Sequence, residues 1–188
     1  MKCVVMSGNP GRQRGAVLIF CLVFLLVLTL MGVSSMESTI LEERMAGNMQ
    51  DYSAAFQAAE SALTEGEQWL AGQAIWPTAS DDGSTGVWVR EAMDPDADNS
   101  VPWWRETSRN TSSWWQNNAR VAPGAPGLAE NPRFVIEEYR VATSGESVAL
   151  GTGSQDRSRV FHRITARGTG RNASSVVQLQ STYVRSYE

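Results

Sequence analysis

The sequence predicts an α+β protein in which one long N-terminal helix, apolar in its first part, packs on a small antiparallel sheet. Three observations point there. Ala16 to Val33 reads AVLIFCLVFLLVLTLMGV, eighteen residues without a charge. No proline follows until Pro77. The last third holds runs of β-branched and aromatic residues separated by glycine-containing segments.

With 188 residues the chain has room for one modest domain and an anchor. Its net charge is -4, and Lys2, Arg12 and Arg14 are the only charges before Glu37, which leaves -7 on the remainder. Lys2 is the only lysine. This balance offers no basic patch for phosphates and argues against nucleic acid. Cys3 and Cys21 both precede Val33, so the remainder has neither an internal disulfide nor thiolates for zinc. His162 is the only histidine, which leaves little means for metal binding or acid–base catalysis. We therefore expect no cofactor, no metal and no enzyme activity.

The apolar run matches the thickness of a bilayer core, which needs about 20 residues at 1.5 Å rise. Arg12 and Arg14 precede it, and Glu37, Glu42 and Glu43 follow. The positive-inside rule keeps residues 1–15 in the cytoplasm and exports the C-terminal part. A cleaved secretory signal has a shorter core and a small-x-small site, and Val33-Ser34-Ser35 is a poor one. A lipoprotein signal has small residues before its cysteine, whereas Ile19 and Phe20 precede Cys21.

Helix formers dominate after Val33. Apolar residues recur at Met45, Met49, Tyr52, Phe56, Ala59, Leu63 and Leu70, in steps of three, four and seven that make a stripe. Gln50, Gln57, Glu60, Glu67 and Gln68 lie opposite, and alanines at 54, 55, 58, 59 and 62 allow close packing. Gly72 and Pro77 are stop signals. Residues 16–71 thus form one helix of roughly 84 Å, with Gly32, Gly47 and Gly66 as weak points. The expected divisions are a leader (1–15), a transmembrane helix (16–33), an amphipathic helix (34–71) and a β-rich head with tryptophan-rich loops (72–188).

Gln13-Arg14-Gly15 followed by Ala16-Val17-Leu18-Ile19 resembles a prepilin signal. The resemblance implies cleavage between Gly15 and Ala16 by the prepilin peptidase, methylation of Ala16, and retention of the apolar segment as anchor and filament core. Leu41-Glu42-Glu43-Arg44-Met45-Ala46-Gly47-Asn48 and Phe56-Gln57-Ala58-Ala59-Glu60 resemble the PilX-type minor pilins of type IV pilus systems, as do Arg163 to Gly168 and Leu179-Gln180-Ser181. The implied fold is pilin-like, with the second half of the helix packed on the head's sheet. Counted from Ala16 the fifth residue is Phe20, where most pilins carry glutamate. A buried carboxylate costs about 2.5–3.5 kcal/mol at mid-bilayer, and in pilins a neighbouring subunit's N-terminal ammonium neutralises it. A subunit with nothing assembled ahead of it has no use for that charge.

Three strands are expected in the head. They cover Phe134–Val141, then Val160–Arg167 with Val160, His162, Ile164 and Ala166 on one face, then Val176–Val184, with 168–174 as the last turn. Residues 72–132 read as irregular and hold Trp76, Trp88, Trp103, Trp104, Trp114 and Trp115. These tryptophans are expected to fill the head's core, not all buried alike. Trp103, Trp104, Trp114 and Trp115 are also candidate interface residues. Asp94, Asp96 and Asp98 resemble the start of a calcium loop, but Asn99 and Arg105 stand where an EF-hand needs glycine and glutamate, so a solvated turn is expected. Gly151-Thr-Gly153 and Gly168-Thr-Gly170 lack the third glycine of a phosphate cradle.

The resemblance implies a minor pilin that primes pilus assembly in the inner membrane, with its head in the periplasm and its final place at or near the pilus tip. It would support twitching motility and adhesion. Implied partners are other minor pilins, the major pilin, the prepilin peptidase and the inner membrane. Met45, Met49, Tyr52, Phe56 and Leu63 would carry helix packing, and Phe20 would bear on assembly. The alternatives are a K-type pseudopilin of type II secretion, whose head is usually larger, and a single-pass anchored periplasmic binding protein.

Overall fold

The computed structural model describes residues 16–143 and 158–187. Gly15 and the Gly151–Gly153 pair lie outside them. Helix α1 (Ala16–Gly72) runs for 57 residues through Gly32, Gly47 and Gly66 without interruption. The chain forms two compact units, divided after Gly47. In the first, every described residue is exposed.

The second unit contains β1 (Trp88–Val89), a 3₁₀ turn (Trp103–Arg105), α2 (Ser112–Asn118), β2 (Arg120–Val121), β3 (Arg133–Thr143), β4 (Ser158–Thr169) and β5 (Val176–Ser186). The sheet order is β1-β3-β4-β5, with β2 also beside β3. The three long strands pair antiparallel, as expected, in registers such as Ile136 with Ile164 and Ala166 with Leu179. One expectation is corrected: the sheet is mixed, because β1 pairs parallel to β3. The long segment between β1 and β3 supplies the crossover that parallel pairing requires.

Alternate residues of the strands point to opposite layers. Phe134, Ile136, Ile164 and Ala166 join Ala62 and Leu70 of α1 in one core cluster. Val135 joins Trp88, Met93, Trp103 and Trp115 in another. The sheet is thus covered on both faces, by α1 and by a tryptophan-rich layer built from the segment read as irregular. Burying a Phe, Ile or Leu side chain contributes about 1.5–3 kcal/mol, and no cystine is needed to hold these layers.

A bulge between Glu138 and Arg140 shifts the register of the β3–β4 pairing. The last turn is tied to α1: Asp51 accepts from the backbone N–H of Arg171 at 2.6 Å and of Asn172 at 3.3 Å. The Ser175 hydroxyl, with these backbone donors, holds the Asp51 carboxyl below its usual range.

Candidate assembly and binding surfaces

Ala16 to Val33 present an exposed apolar surface on all sides, with Phe20 at 74% exposure. Thr29, the one hydroxyl in the run, donates to the Leu26 carbonyl at 2.8 Å. That bond removes the cost of an unpaired hydroxyl in hydrocarbon. Cys21 is an exposed free thiol on this segment. The helix is long and apolar enough to cross a membrane once.

Farther along α1, size divides the stripe read from the sequence. Met45, Met49, Tyr52 and Phe56 are exposed, Leu63 is half-buried against the core, and Ala59 and Leu70 are fully buried. The face on the sheet consists of Ala55, Ala58, Ala59, Ala62, Gly66 and Leu70. The reason is the close approach of β4. A Cβ added at Gly168 would lie within 3.0 Å of backbone atoms of Ala55, Ala58 and Ala59. Only small residues fit such a contact. Met45, Met49, Tyr52 and Phe56 instead point outward, without a partner among the described residues. The signal was present as alanines and a glycine at steps of three and four, but residue size drew the reading to Met and Phe.

The opposite face of the sheet carries the polar centre of the head. Glu137 is fully buried and receives two bonds from Arg163, at 2.9 and 3.1 Å, and one from Trp103 Nε1 at 3.1 Å. The Arg163 guanidinium lies 4.6 Å from the Trp104 ring centre and 5.1 Å from that of Tyr139. Nearby, Arg167 pairs with Glu130 at 2.9 Å. The Ser112 hydroxyl and Arg167 hold the Glu130 carboxyl below its ordinary range. Sequence reading missed these pairs. Glu137 stands beside Glu138 and looks solvated, and Arg163 and Arg167 fall on the polar side of an alternating strand.

The tryptophans divide as their surroundings dictate. Trp88, Trp103 and Trp115 are buried, Trp104 and Trp114 are half-buried, and Trp76 is exposed with Nε1 donating to Glu138 at 3.0 Å. Of the four candidate interface residues, Trp103 and Trp115 therefore belong to the core, while Trp104 and Trp114 retain accessible surface. The ring centres of Trp103 lie 5.7 Å from Trp104 and 5.5 Å from Trp114.

His162 lies on the helix-facing side of β4, fully buried, with neither ring nitrogen bonded among the described residues. Burial pushes its pKa down to about 4. Asp94 and Asp96 accept the backbone N–H groups of Asp96 and Asp98, so the triplet closes consecutive turns. No group of three or more possible metal ligands converges among the described residues.

Two family models match the chain, PilX N-terminal over residues 14–64 and type IV pilus assembly protein PilX C-term over residues 76–185. The second alone spans more than half of the sequence. The chain belongs to the PilX family of type IV pilus assembly proteins. No curated protein and no solved structure matches it. The second match takes in the tryptophan-rich segment. It also identifies the continuous α1 and small mixed sheet as the pilin-like arrangement of a pilus component.

Proposed function

We propose that this PilX-family protein is a minor pilin that primes pilus assembly in the inner membrane and ends at or near the pilus tip. The observation that carries this reading is Phe20. If cleavage falls after Gly15, Phe20 is the fifth mature residue, and it places an exposed apolar ring where a neighbour-seeking carboxylate would otherwise stand. A phenylalanine favours insertion by about 0.3–0.6 kcal/mol on the scale that penalises charged groups. A subunit without that charge needs no subunit ahead of it.

In this reading residues 1–15 are the leader, 16–33 the membrane span, 34–71 the periplasmic helix and 72–188 the head. The chain works by noncovalent packing and has no catalytic role. The exposed Met45, Met49, Tyr52 and Phe56 meet helices of other minor pilins and of the major pilin, while twitching motility and adhesion follow from the assembled pilus. The expected product is a chain beginning at methylated Ala16, found by mass spectrometry of membrane-extracted protein only when the prepilin peptidase is present. Retention of residues 1–15 would end the pilin mechanism. Phe20→Glu separates tip from shaft: it is expected to reduce pilus number. Unchanged piliation with the subunit distributed along filaments would refute the tip position.

A further inference from the structure

On the tryptophan side of the sheet the head has a pocket of about 280 Å³ lined by Glu91, Asp94, Ser100, Pro102, Trp104 and Arg163, among others. We propose that this pocket is a carbohydrate site that takes a single pyranose ring of a glycan. The inference stands whether or not the protein sits at a pilus tip.

The walls provide what a neutral polyhydroxylated ring requires. Trp104 is half-buried and held edge-on against Trp103, with an interplanar angle of 88°. It is a fixed flat surface whose electron-rich face suits the weakly polar C–H face of a sugar. Arg163 supplies donors, and Glu137 takes two of its five N–H groups and fixes the fork. Glu91 and Asp94 supply carboxylate acceptors for hydroxyls, and Ser100 supplies a hydroxyl. Arg90 binds Glu91 at Oε1, at 2.8 and 2.9 Å. Asp94 uses Oδ1 to close its turn.

The backbone also holds an acceptor at the rim. Glu91 has φ 64°, the only positive value at a non-glycine residue among those described. Its turn is closed by Ala92 N–H to the Val89 carbonyl and Asp94 N–H to the Glu91 carbonyl. An L-residue adopts this conformation at a cost, and such strain concentrates at ligand sites.

Other ligand classes fit less well. Two carboxylates at the rim repel an anion. A cation drawn to the two carboxylates would meet the positive Arg163 guanidinium, which lines the same pocket. A purely apolar ligand would strip water from the charged rim without replacing its hydrogen bonds. The volume lies at the small end for ligand sites and matches one ring better than a lipid chain.

The test uses the full-length protein in lipid nanodiscs, free of glycoside detergents whose head groups would compete. Glucose, galactose, mannose and their N-acetylamino forms are titrated while tryptophan fluorescence and saturation-transfer NMR are recorded. The proposal expects saturable millimolar binding of at least one sugar, with ring C–H protons receiving saturation. Trp104→Ala and Asp94→Asn should each weaken it by about tenfold or more. Asp94→Asn, a half-exposed site, should melt like the wild type and so guards against misreading a folding defect. No saturable binding by any of these sugars overturns the proposal. So does binding that survives both substitutions, or saturation by choline in place of sugars.

Discussion

Replacing Gly168 by alanine tests the contact between β4 and the Ala55–Ala59 stretch of α1. The added Cβ would fall within 3.0 Å of Ala55, Ala58 and Ala59 backbone atoms. Those atoms belong to helix backbone and cannot rotate aside, so this stretch of α1 must move away from β4. Overpacking costs about 1–3 kcal/mol, offset by about 0.4–1 kcal/mol from reduced freedom of the unfolded chain. The expected net loss is about 1 kcal/mol, or a fall of roughly 2–4 °C in Tm for a chain of this size. Two comparisons sharpen the test. At Gly66 the added methyl meets only side-chain atoms, Ile164 Cγ2 at 2.9 Å and Phe134 Cδ2 at 3.1 Å, so Gly66→Ala should cost less. Gly47 has nothing within 4 Å, and Gly47→Ala should leave the head's transition in place. Thermal unfolding followed by near-ultraviolet circular dichroism reports the tryptophan and tyrosine environment of the head directly. A Gly168→Ala protein that melts with the wild type, or an inverted order of the first two variants, would refute the close-approach reasoning.

Glu137→Gln leaves Arg163 partly buried without its counter-charge, and a loss of about 3 kcal/mol is expected from removing one partner of such a pair. Denaturant titration measures it, and Glu137→Leu combined with Arg163→Met should recover much of the loss. His162 is buried with a pKa of about 4, against about 6.5 when unfolded, so protons bind the unfolded chain first. Its contribution is present above about pH 6.5 and is lost as pH falls toward 4, by up to ~3 kcal/mol. Melting curves of wild type and His162→Leu should therefore diverge across that window and run parallel above it. Met49→Ser and Tyr52→Ser alter exposed side chains, so head stability should stay within about 0.5 kcal/mol. Pilus counts by electron microscopy should nonetheless fall if this stripe packs on other pilins.

Local chemistry was enough to establish the anchor, the long helix and the three long strands. Eighteen uncharged residues beside two arginines specify a membrane helix through transfer energy and charge, with no tertiary partner required. Alternation in Val160–Arg167 marks a strand because side chains alternate across any strand. Which surface each element buries depended on geometry that no local pattern encodes. Only the tertiary structure determined that alanines rather than Met and Phe face the sheet, because the deciding distance is between the Gly168 backbone and α1. The tryptophan layer likewise covers Glu137 and leaves its partner Arg163 partly buried, although both look like solvent-facing charges in the sequence. It separates Trp103 and Trp115, which are buried in the core, from the half-buried Trp104. Burial of a polar side chain is settled by what comes to lie over it, and here the cover comes from a segment far away in sequence.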